Sequence, residues 1–178
     1  MALVLAGATA ALGASATPAI AGDDVVKVRD ACDPASFNAV LGEGACAPAT
    51  NKGSRVTFDE FVEEAAEGGH GAWKFSDEKV RIDRGESVVA RYDRGGEMHT
   101  FSEVANFGPG CVPEVNALLG YPPPFAGVPE CSDPARWPNP AEFVGPGTPD
   151  VVVSGLSKGR HRFICFIHPW MKTTVEVR

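Results

Sequence analysis

The chain contains the stretch Cys165-Phe166-Ile167-His168-Pro169-Trp170-Met171, and the interpretation of everything else depends on it. This stretch lies between two strand-like segments, the second of which alternates apolar and polar residues from Thr173 onward. A thiol, an imidazole and a thioether therefore follow one another at intervals of three residues along one short loop. Pro169 restricts its own φ angle, which stiffens the turn between the imidazole and the thioether.

A second imidazole, His99, lies far upstream after a separate strand pattern. Two imidazoles, one thiolate and one weak thioether form the ligand set of a blue-copper electron-transfer site. Thiolate and thioether suit Cu(I), imidazole suits both oxidation states, and a rigid sheet would hold them with little change in geometry. We therefore predict one copper ion bound by His99, Cys165, His168 and Met171, in a protein that moves single electrons.

Each predicted ligand has an ordinary alternative. His99 could be a surface histidine at a turn, and Met171 could fill a gap in the core. Cys165 could be an inert buried thiol or form an intermolecular disulfide. Met98 is a competing thioether, but it directly precedes His99 on a strand, so we expect it to point to the opposite face.

Four further side chains are interpreted as structural. We expect His161 to be a solvated strand residue and His70, within Gly-Gly-His-Gly, to belong to a flexible linker. Trp170 is expected to pack around the metal site, with a role in electron transfer as the alternative, and Trp73 to pack in the core or at a sheet edge.

From Ala72 onward, apolar residues recur at every second position, which predicts short strands joined by turns. This pattern indicates an all-β fold, an antiparallel sandwich or barrel. Two short helices are predicted before it, one starting at Asp33-Pro34 and one at the capping box Thr57–Glu60. We expect residues 22–70 to form a helical N-terminal extension that covers one end or edge of the sheet.

A long segment rich in Pro and Gly, Phe107 to Pro149, interrupts the strand pattern. Loops of this length without strands are usually functional or disordered. Within it, Val112-Pro113-Glu114 is expected to start one helical turn that ends at Gly120. We interpret residues 107–149 as an insertion stapled by a disulfide.

Residues 1–21 carry no charge and end in Ala19-Ile20-Ala21, which predicts a secretory signal peptide. A single membrane anchor is the alternative, and membrane attachment is expected only if this segment is retained. The predicted location is periplasmic or extracellular.

Five cysteines fit an exported chain. The spacing favours two local disulfides, Cys32–Cys46 and Cys111–Cys131, although four cysteines allow three pairings. Cys165 is then left unpaired.

The loop Cys165-x-x-His168-Pro169-Trp170-Met171, with His99 upstream, resembles the copper site of cupredoxins, the plastocyanin/azurin superfamily. The spacing between His and Met is most similar to that of amicyanin. The resemblance covers residues 71–178 and implies a Greek-key β-sandwich, with the edge of His168 reaching the surface through an apolar patch where electrons enter. The chain departs from the family at Thr100, where Asn is common, and in the insertion.

An exported one-electron carrier with a redox partner protein of unknown identity is the leading hypothesis. Copper storage, delivery or sensing is the alternative, and a metal-free binding sandwich is a further one. We expect no enzymatic activity, because the ligand set leaves no position for substrate and the sequence has no His-x-His pair. The formal net charge of −7 and the lack of a basic patch argue against nucleic-acid binding.

Overall fold

The computed structural model describes residues 24–48, 55–122, 129–133 and 135–178. The predicted signal peptide therefore lies outside the described residues. Strands predominate, and their bounds are β1 Asp24–Arg29, β2 Lys74–Phe75, β3 Lys79–Ile82, β4 Val88–Arg94, β5 His99–Thr100, β6 Ser102–Val104, β7 Phe143–Val144, β8 Val151–Val153, β9 Gly159–Ile164 and β10 Lys172–Val177. The helices are α1 Pro34–Leu41, α2 Phe58–Ala66 and α3 Pro113–Leu118, with 3₁₀ turns at Pro129–Ser132 and Pro140–Glu142.

The strands form two four-stranded sheets and one two-stranded sheet. The first sheet has the order β2-β1-β4-β8, the second has the order β3-β10-β9-β6, and β5 pairs with β7. Alternate side chains from both large sheets join one buried apolar cluster, which includes Val26, Ala90, Phe163 and Val175. The prediction of a mostly β fold is thus confirmed.

Two of the strand pairs are parallel, which the expectation of an antiparallel sheet did not include. β1 runs parallel to β4, and β3 runs parallel to β10. Parallel neighbours need a long connection between them. Both helices and two strands separate β1 from β4, so the chain has ample length to cross over.

The N-terminal part of the chain is not only helical, which corrects the prediction for residues 22–70. Val26 and Val28 alternate with Lys27 and Arg29, and this short period-two segment forms β1 with both valines fully buried. β1 lies between β2 and β4, inside the first sheet rather than over its edge. The division of the chain at residue 71 remains a prediction.

Both predicted helices of this region are present. The side chain of Asp33 accepts a hydrogen bond from the backbone of Ser36 at the start of α1. Thr57 and Glu60 form the capping box of α2. The two helices pack on each other through Phe37 and ring contacts with α2, and the predicted Cys32–Cys46 disulfide closes the segment around α1.

The insertion contains regular structure, including a strand that the sequence pattern did not reveal. The predicted helical turn is α3, and the predicted Cys111–Cys131 disulfide is formed. β7 pairs with β5 in register, placing Val144 opposite His99. The insertion therefore supports the strand that carries the first predicted ligand. Among the described residues, no helix has the length and apolar character needed to cross a bilayer.

Candidate metal centre

The structure brings His99, Cys165 and His168 together. His99 begins β5, while Cys165 and His168 follow the end of β9. The Cys165 Sγ atom is 3.9 Å from His99 Nδ1 and 4.0 Å from His168 Nδ1. The three candidate ligand atoms lie within 4.8 Å of one another, and all three residues are buried. The strand ends therefore make one compact donor cluster from residues that are far apart in sequence.

The spacing fits a single transition-metal ion. Metal bonds to imidazole nitrogen and thiolate sulfur are about 2.0 and 2.3 Å long, so two such bonds span at most about 4.3 Å. Both observed Sγ-to-Nδ1 separations, 3.9 and 4.0 Å, fall inside that limit. A thiolate with two imidazoles is also a donor set that copper accepts.

The surroundings of Cys165 favour its thiolate form. The backbone N–H groups of Thr100 and His168 donate to Sγ at 3.3 and 3.4 Å. Burial by itself raises the pKa of the Cys165 thiol, but hydrogen bonds and charge from His168 and His99 hold that pKa well below its usual range. The thiolate is the form that binds metal.

Thr100 joins the two segments of the site. Its Oγ1 accepts hydrogen bonds from the backbone N–H of Phe166 at 2.8 Å and from the Ser102 hydroxyl at 3.1 Å. With its own N–H on Cys165, Thr100 fixes the register between β5 and the ligand loop. This position, which departs from the cupredoxin pattern, thus contributes both its backbone and its side chain.

Met171 closes the ligand loop. The N–H of Cys165 donates to the Met171 carbonyl at 2.9 Å, and the N–H of Met171 donates to the His168 carbonyl at 2.9 Å. Met171 is 1% exposed and belongs to the same apolar cluster as Cys165. Its placement is compatible with the predicted axial ligand, and its bond to a metal remains a prediction, as do those of the other three residues.

A buried carboxylate, Asp30, holds the ring of His99. Asp30 Oδ2 lies 2.9 Å from His99 Nε2, and both side chains are fully buried. Because an ionised carboxylate can only accept, Nε2 carries the proton and Nδ1 faces the cluster. Burial lowers the pKa of His99, but hydrogen bonds to Asp30 and Cys165 outweigh it and raise that pKa to about 10. A metal ion must displace the proton that His99 would otherwise hold on Nδ1.

Backbone donors cradle this carboxylate. Asp30 accepts hydrogen bonds from the N–H groups of Cys32 at 3.1 Å, Gly96 at 2.9 Å and Glu97 at 3.2 Å. Gly95 has a φ angle of +129°, and a Cβ atom there would collide with the carboxylate. The end of β1 and the turn after β4 therefore enclose Asp30 beneath His99.

A second buried carboxylate, Glu97, lies beside His168. Its Oε2 accepts a hydrogen bond from Trp73 Nε1 and is 3.8 Å from His168 Nε2. Burial raises the pKa of Glu97 above its usual value, against the opposing charges of His168 and His99. Asp30, Cys32 and Glu97 also lie close enough to suggest a metal cluster, but Cys32 is in a disulfide and cannot ligate.

Aromatic rings cover His168, which corrects the expectation that its edge reaches the surface. His168 is only 2% exposed. Its ring centroid lies 5.9 Å from that of Phe61, 6.3 Å from Trp73 and 5.4 Å from Trp170. One of these three rings, Phe61, comes from α2, whose packing over the site the sequence did not indicate. Trp170 and Trp73 take the packing positions predicted for them.

The remaining candidate residues lie away from the cluster or have other partners. Met98 is 36% exposed whereas His99 is fully buried, as their opposite faces on the strand predicted. His161 is hydrogen-bonded to Glu103 at 2.6 Å and is only partly exposed, so it is less solvated than predicted. His70 does not lie in a flexible linker: it is buried, and its Nδ1 accepts from the backbone of Ala72 at 3.0 Å.

The sequence reasoning missed Asp30 and Glu97. Neither residue stands at a sequence spacing that is typical of metal ligands, because their carboxylates face the imidazole nitrogens that point away from the cluster. The available signal was the position of each acidic residue in the sequence. Asp30 stands at the end of a valine-rich segment, and Glu97 stands between two glycines and Met98-His99. That signal becomes specific only once the folded chain shows which rings they contact.

No protein-family description and no curated protein matches the chain. Among solved structures, it is similar to the oxidised form of plastocyanin from Dryopteris crassirhizoma, with 20% identity, 62% of this chain and 91% of that chain covered, and a TM-score of 0.36. Amicyanin from Paracoccus versutus has 16% identity over 59% of this chain and 73% of its own, with a TM-score of 0.34. A purple cupredoxin from Nitrosopumilus maritimus has 12% identity over 88% and 100%, with a TM-score of 0.36. The matches confirm the predicted resemblance to cupredoxins, and at TM-scores below 0.5 the arguments on function depend on the site itself.

Proposed function

We propose that this chain is an exported type 1 copper protein with a Greek-key, cupredoxin-like fold that carries single electrons. One observation carries the proposal: the Sγ atom of Cys165 lies 3.9 and 4.0 Å from two imidazole Nδ1 atoms in a fully buried cluster. His99, Cys165 and His168 would hold one copper ion, with Met171 as a weak axial ligand. Bound copper would supply a reversible Cu(I)/Cu(II) couple at this position.

The protein's own contribution is rigidity. Asp30 fixes the ring of His99, two backbone N–H groups fix the sulfur of Cys165, and the loop is closed by its hydrogen bonds to Met171. Side chains held in this way cannot rearrange easily when the charge of the site changes by one. A small change in ligand geometry between the two oxidation states favours electron transfer. The burial of all four side chains also excludes bulk water from the site.

Export is supported by the disulfides. Cys32–Cys46 and Cys111–Cys131 both form, and paired cysteines are typical of oxidising compartments. The proposed location is therefore periplasmic or extracellular, as the N-terminal sequence predicts. A redox partner protein remains part of the proposal.

The visible spectrum with one equivalent of Cu(II) tests the site. We expect an intense thiolate-to-copper band in the wild type and its loss in Cys165→Ala, with reversible voltammetry of the wild type. Met98→Leu is the matched control, because it removes an exposed thioether next to His99 and should keep the band. A folded wild type with a free Cys165 thiol and no band would contradict the proposed copper site.

Copper storage, delivery or sensing is the second candidate, and the cover over His168 favours storage among these three. A buried imidazole under Phe61 and Trp73 slows both ligand exchange and contact with a partner. Transfer of Cu(I) to a chelator such as bathocuproine separates the two functions. A carrier should retain its copper over hours and show a reversible couple, and a storage protein should retain its copper without a reversible couple. A delivery protein should lose copper quickly to the chelator.

A further inference from the structure

A pocket of about 500 Å³ opens beside the ligand loop, along β2 and the start of β10. Trp170 and Met171 line it from the loop, so the pocket reaches one of the four predicted ligand residues directly. Cavities of this volume are the size of small-molecule sites. The pocket is distinct from the donor cluster, because neither Cys165 nor the two ligand histidines lines it.

The floor of the pocket contains a polar group without a partner. Thr173 lines the pocket and is 1% exposed. Its Oγ1 is buried and has no hydrogen-bond partner within the part of the chain that the structure describes. Because a buried hydroxyl without a partner is unfavourable, a polar group that entered the pocket and reached this atom would stabilise it.

The rim of the pocket carries positive charge. Lys74 and Lys172 line it and are exposed, against one carboxylate, Glu78. Neither lysine has a carboxylate within ion-pairing distance among residues 24–48, 55–122, 129–133 and 135–178. The Lys172 ammonium lies 5.7 Å from the centroid of the Phe107 ring, which also lines the pocket. On a chain of net charge −7, this rim would attract an anion locally.

Trp170 connects the pocket to the metal cluster. Its ring lines the pocket and lies 5.4 Å from the ring of His168. Its Nε1 donates to the carbonyls of His70 and Trp73, both at 3.2 Å, which fixes the indole in place. Trp73 also lines the pocket, with its ring 6.3 Å from that of His168, so Trp170 is the nearer of the two indole rings that join this imidazole to the open cavity.

We propose that the pocket binds a small, anionic one-electron donor with an apolar body, whose electron enters the metal centre through Trp170. The proposal rests on the copper function proposed above. Copper held by the proposed ligands would accept the one electron that the donor loses and would pass from Cu(II) to Cu(I), with no bond broken and no atom transferred. The aromatic walls accept the apolar body of the donor, the two lysines attract its charge, and the Thr173 hydroxyl bonds to its polar group.

Stopped-flow reduction of the Cu(II) protein tests the route with two probes of opposite charge. The probes are ferrocene carboxylate and the cationic (ferrocenylmethyl)trimethylammonium, and the readout is the ratio of their rate constants. In Lys74→Glu/Lys172→Glu this ratio should fall about 10-fold at low ionic strength, and high salt should diminish the effect. Lys158→Glu is the control, because Lys158 precedes β9 at the end away from Cys165, and it should change the ratio less than twofold.

Binding to the metal-free protein gives a readout that does not depend on copper. Ferrocene carboxylate should quench tryptophan fluorescence saturably, and Thr173→Val should weaken this binding several-fold while keeping the side-chain volume. Unchanged binding in both Thr173→Val and the double lysine variant would overturn the pocket. An unchanged rate ratio with an intact blue band would overturn the route but not the copper function. A missing band would overturn the copper function and the electron route with it, while binding to the metal-free protein would still test the pocket.

Discussion

At the scale of single residues, Asp30 determines how firmly the first imidazole is held. Its carboxylate accepts three backbone hydrogen bonds and one from His99. Asp30→Ala would leave these donors buried without a partner, and we expect the free energy of unfolding to fall by about 3–5 kcal/mol. Copper affinity should fall about 10- to 100-fold, because His99 loses the group that orients it. Urea unfolding of the metal-free protein and a copper competition titration measure the two effects.

Two control variants test whether the effect of Asp30→Ala comes from its buried hydrogen bonds or from the loss of a negative charge. Asp30→Asn keeps an acceptor and should lose less stability than Asp30→Ala. Asp93→Ala removes a carboxylate paired with Arg29 at 2.7 Å on the partly exposed side of the sheet, and it should cost less than about 1 kcal/mol. Equal effects of Asp30→Ala and Asp93→Ala would show that the buried cradle has no special role.

The candidate ligands could be selected from the sequence, while the residues that hold them in place could not. Cys165, His168 and Met171 share a short loop, so their spacing carries the information. Asp30 is 69 residues from His99, and their contact exists only because β1 lies parallel to β4 and the following turn folds back over it. No local pattern records a contact that depends on strand order.

At the scale of elements, α2 acts as the cover of the metal centre through Phe61. This ring is 4% exposed and contacts Trp73, Trp170 and His168. Phe61→Ala should lower the free energy of unfolding by about 3–5 kcal/mol through the lost burial and the cavity. It should also expose the edge of His168, so that Cu(I) is lost to a chelator faster and electron exchange with external reagents is faster.

Phe61→Leu tests whether the cover or the fold is responsible. Leucine keeps most of the apolar volume, so stability should be largely retained while the ring contact to His168 is lost. Val40→Ala on α1 is the outside reference, since Val40 is 60% exposed and should change stability by less than about 0.5 kcal/mol. If copper release were unchanged in Phe61→Ala, α2 would be packing only.

The free energy of unfolding should depend on pH through His161 on β9, which is hydrogen-bonded to Glu103 on the neighbouring strand β6. Burial lowers the pKa of His161, but the Glu103 carboxylate and the Ser157 carbonyl outweigh it and raise that pKa above its usual value. The folded chain therefore holds this proton more tightly than the unfolded chain. Its stabilisation is complete below the unfolded pKa of about 6.5 and is lost as the pH rises through the folded pKa.

Urea unfolding at several pH values checks this linkage. The difference in free energy of unfolding between the wild type and His161→Gln should be largest near pH 6 and should shrink by pH 9. Glu103→Gln should remove most of the pH dependence while leaving the imidazole in place. A difference that grows with pH would show that His161 is held as the neutral ring instead.

Helices and strands could be predicted where the apolar period or a capping motif was clear in the local sequence. They were harder to predict where a strand forms only by pairing with a distant strand. The capping box at Thr57 and the alternation from Ala72 onward gave α2 and most strands correctly. β1 was missed because it is a short segment with three valines, between an apolar N-terminal stretch and the start of a helix. β7 was missed because two residues, Phe143 and Val144, form a strand only when β5 is beside them.

At the scale of the whole molecule, the N-terminal region and the metal-binding region are predicted to fold as one unit. β1 lies between β2 and β4 in the first sheet, so its removal leaves these two strands without a common neighbour. It also removes Val26 and Val28 from the core and exposes the apolar residues that they cover. The same region supplies Asp30 under His99 and Phe61 over His168. A variant lacking residues 1–70 should therefore show no cooperative unfolding transition and no thiolate-to-copper band.

A shorter deletion provides the comparison. Removal of residues 1–23 keeps β1, which begins at Asp24 opposite Val88, so this variant should unfold cooperatively and give the same spectrum as the full chain. If residues 71–178 alone folded and bound copper, the division of the chain at residue 71 would mark a true domain boundary. If only the shorter deletion folds, the strand and helices before residue 71 are structural parts of the metal centre, because they hold one imidazole and cover the other.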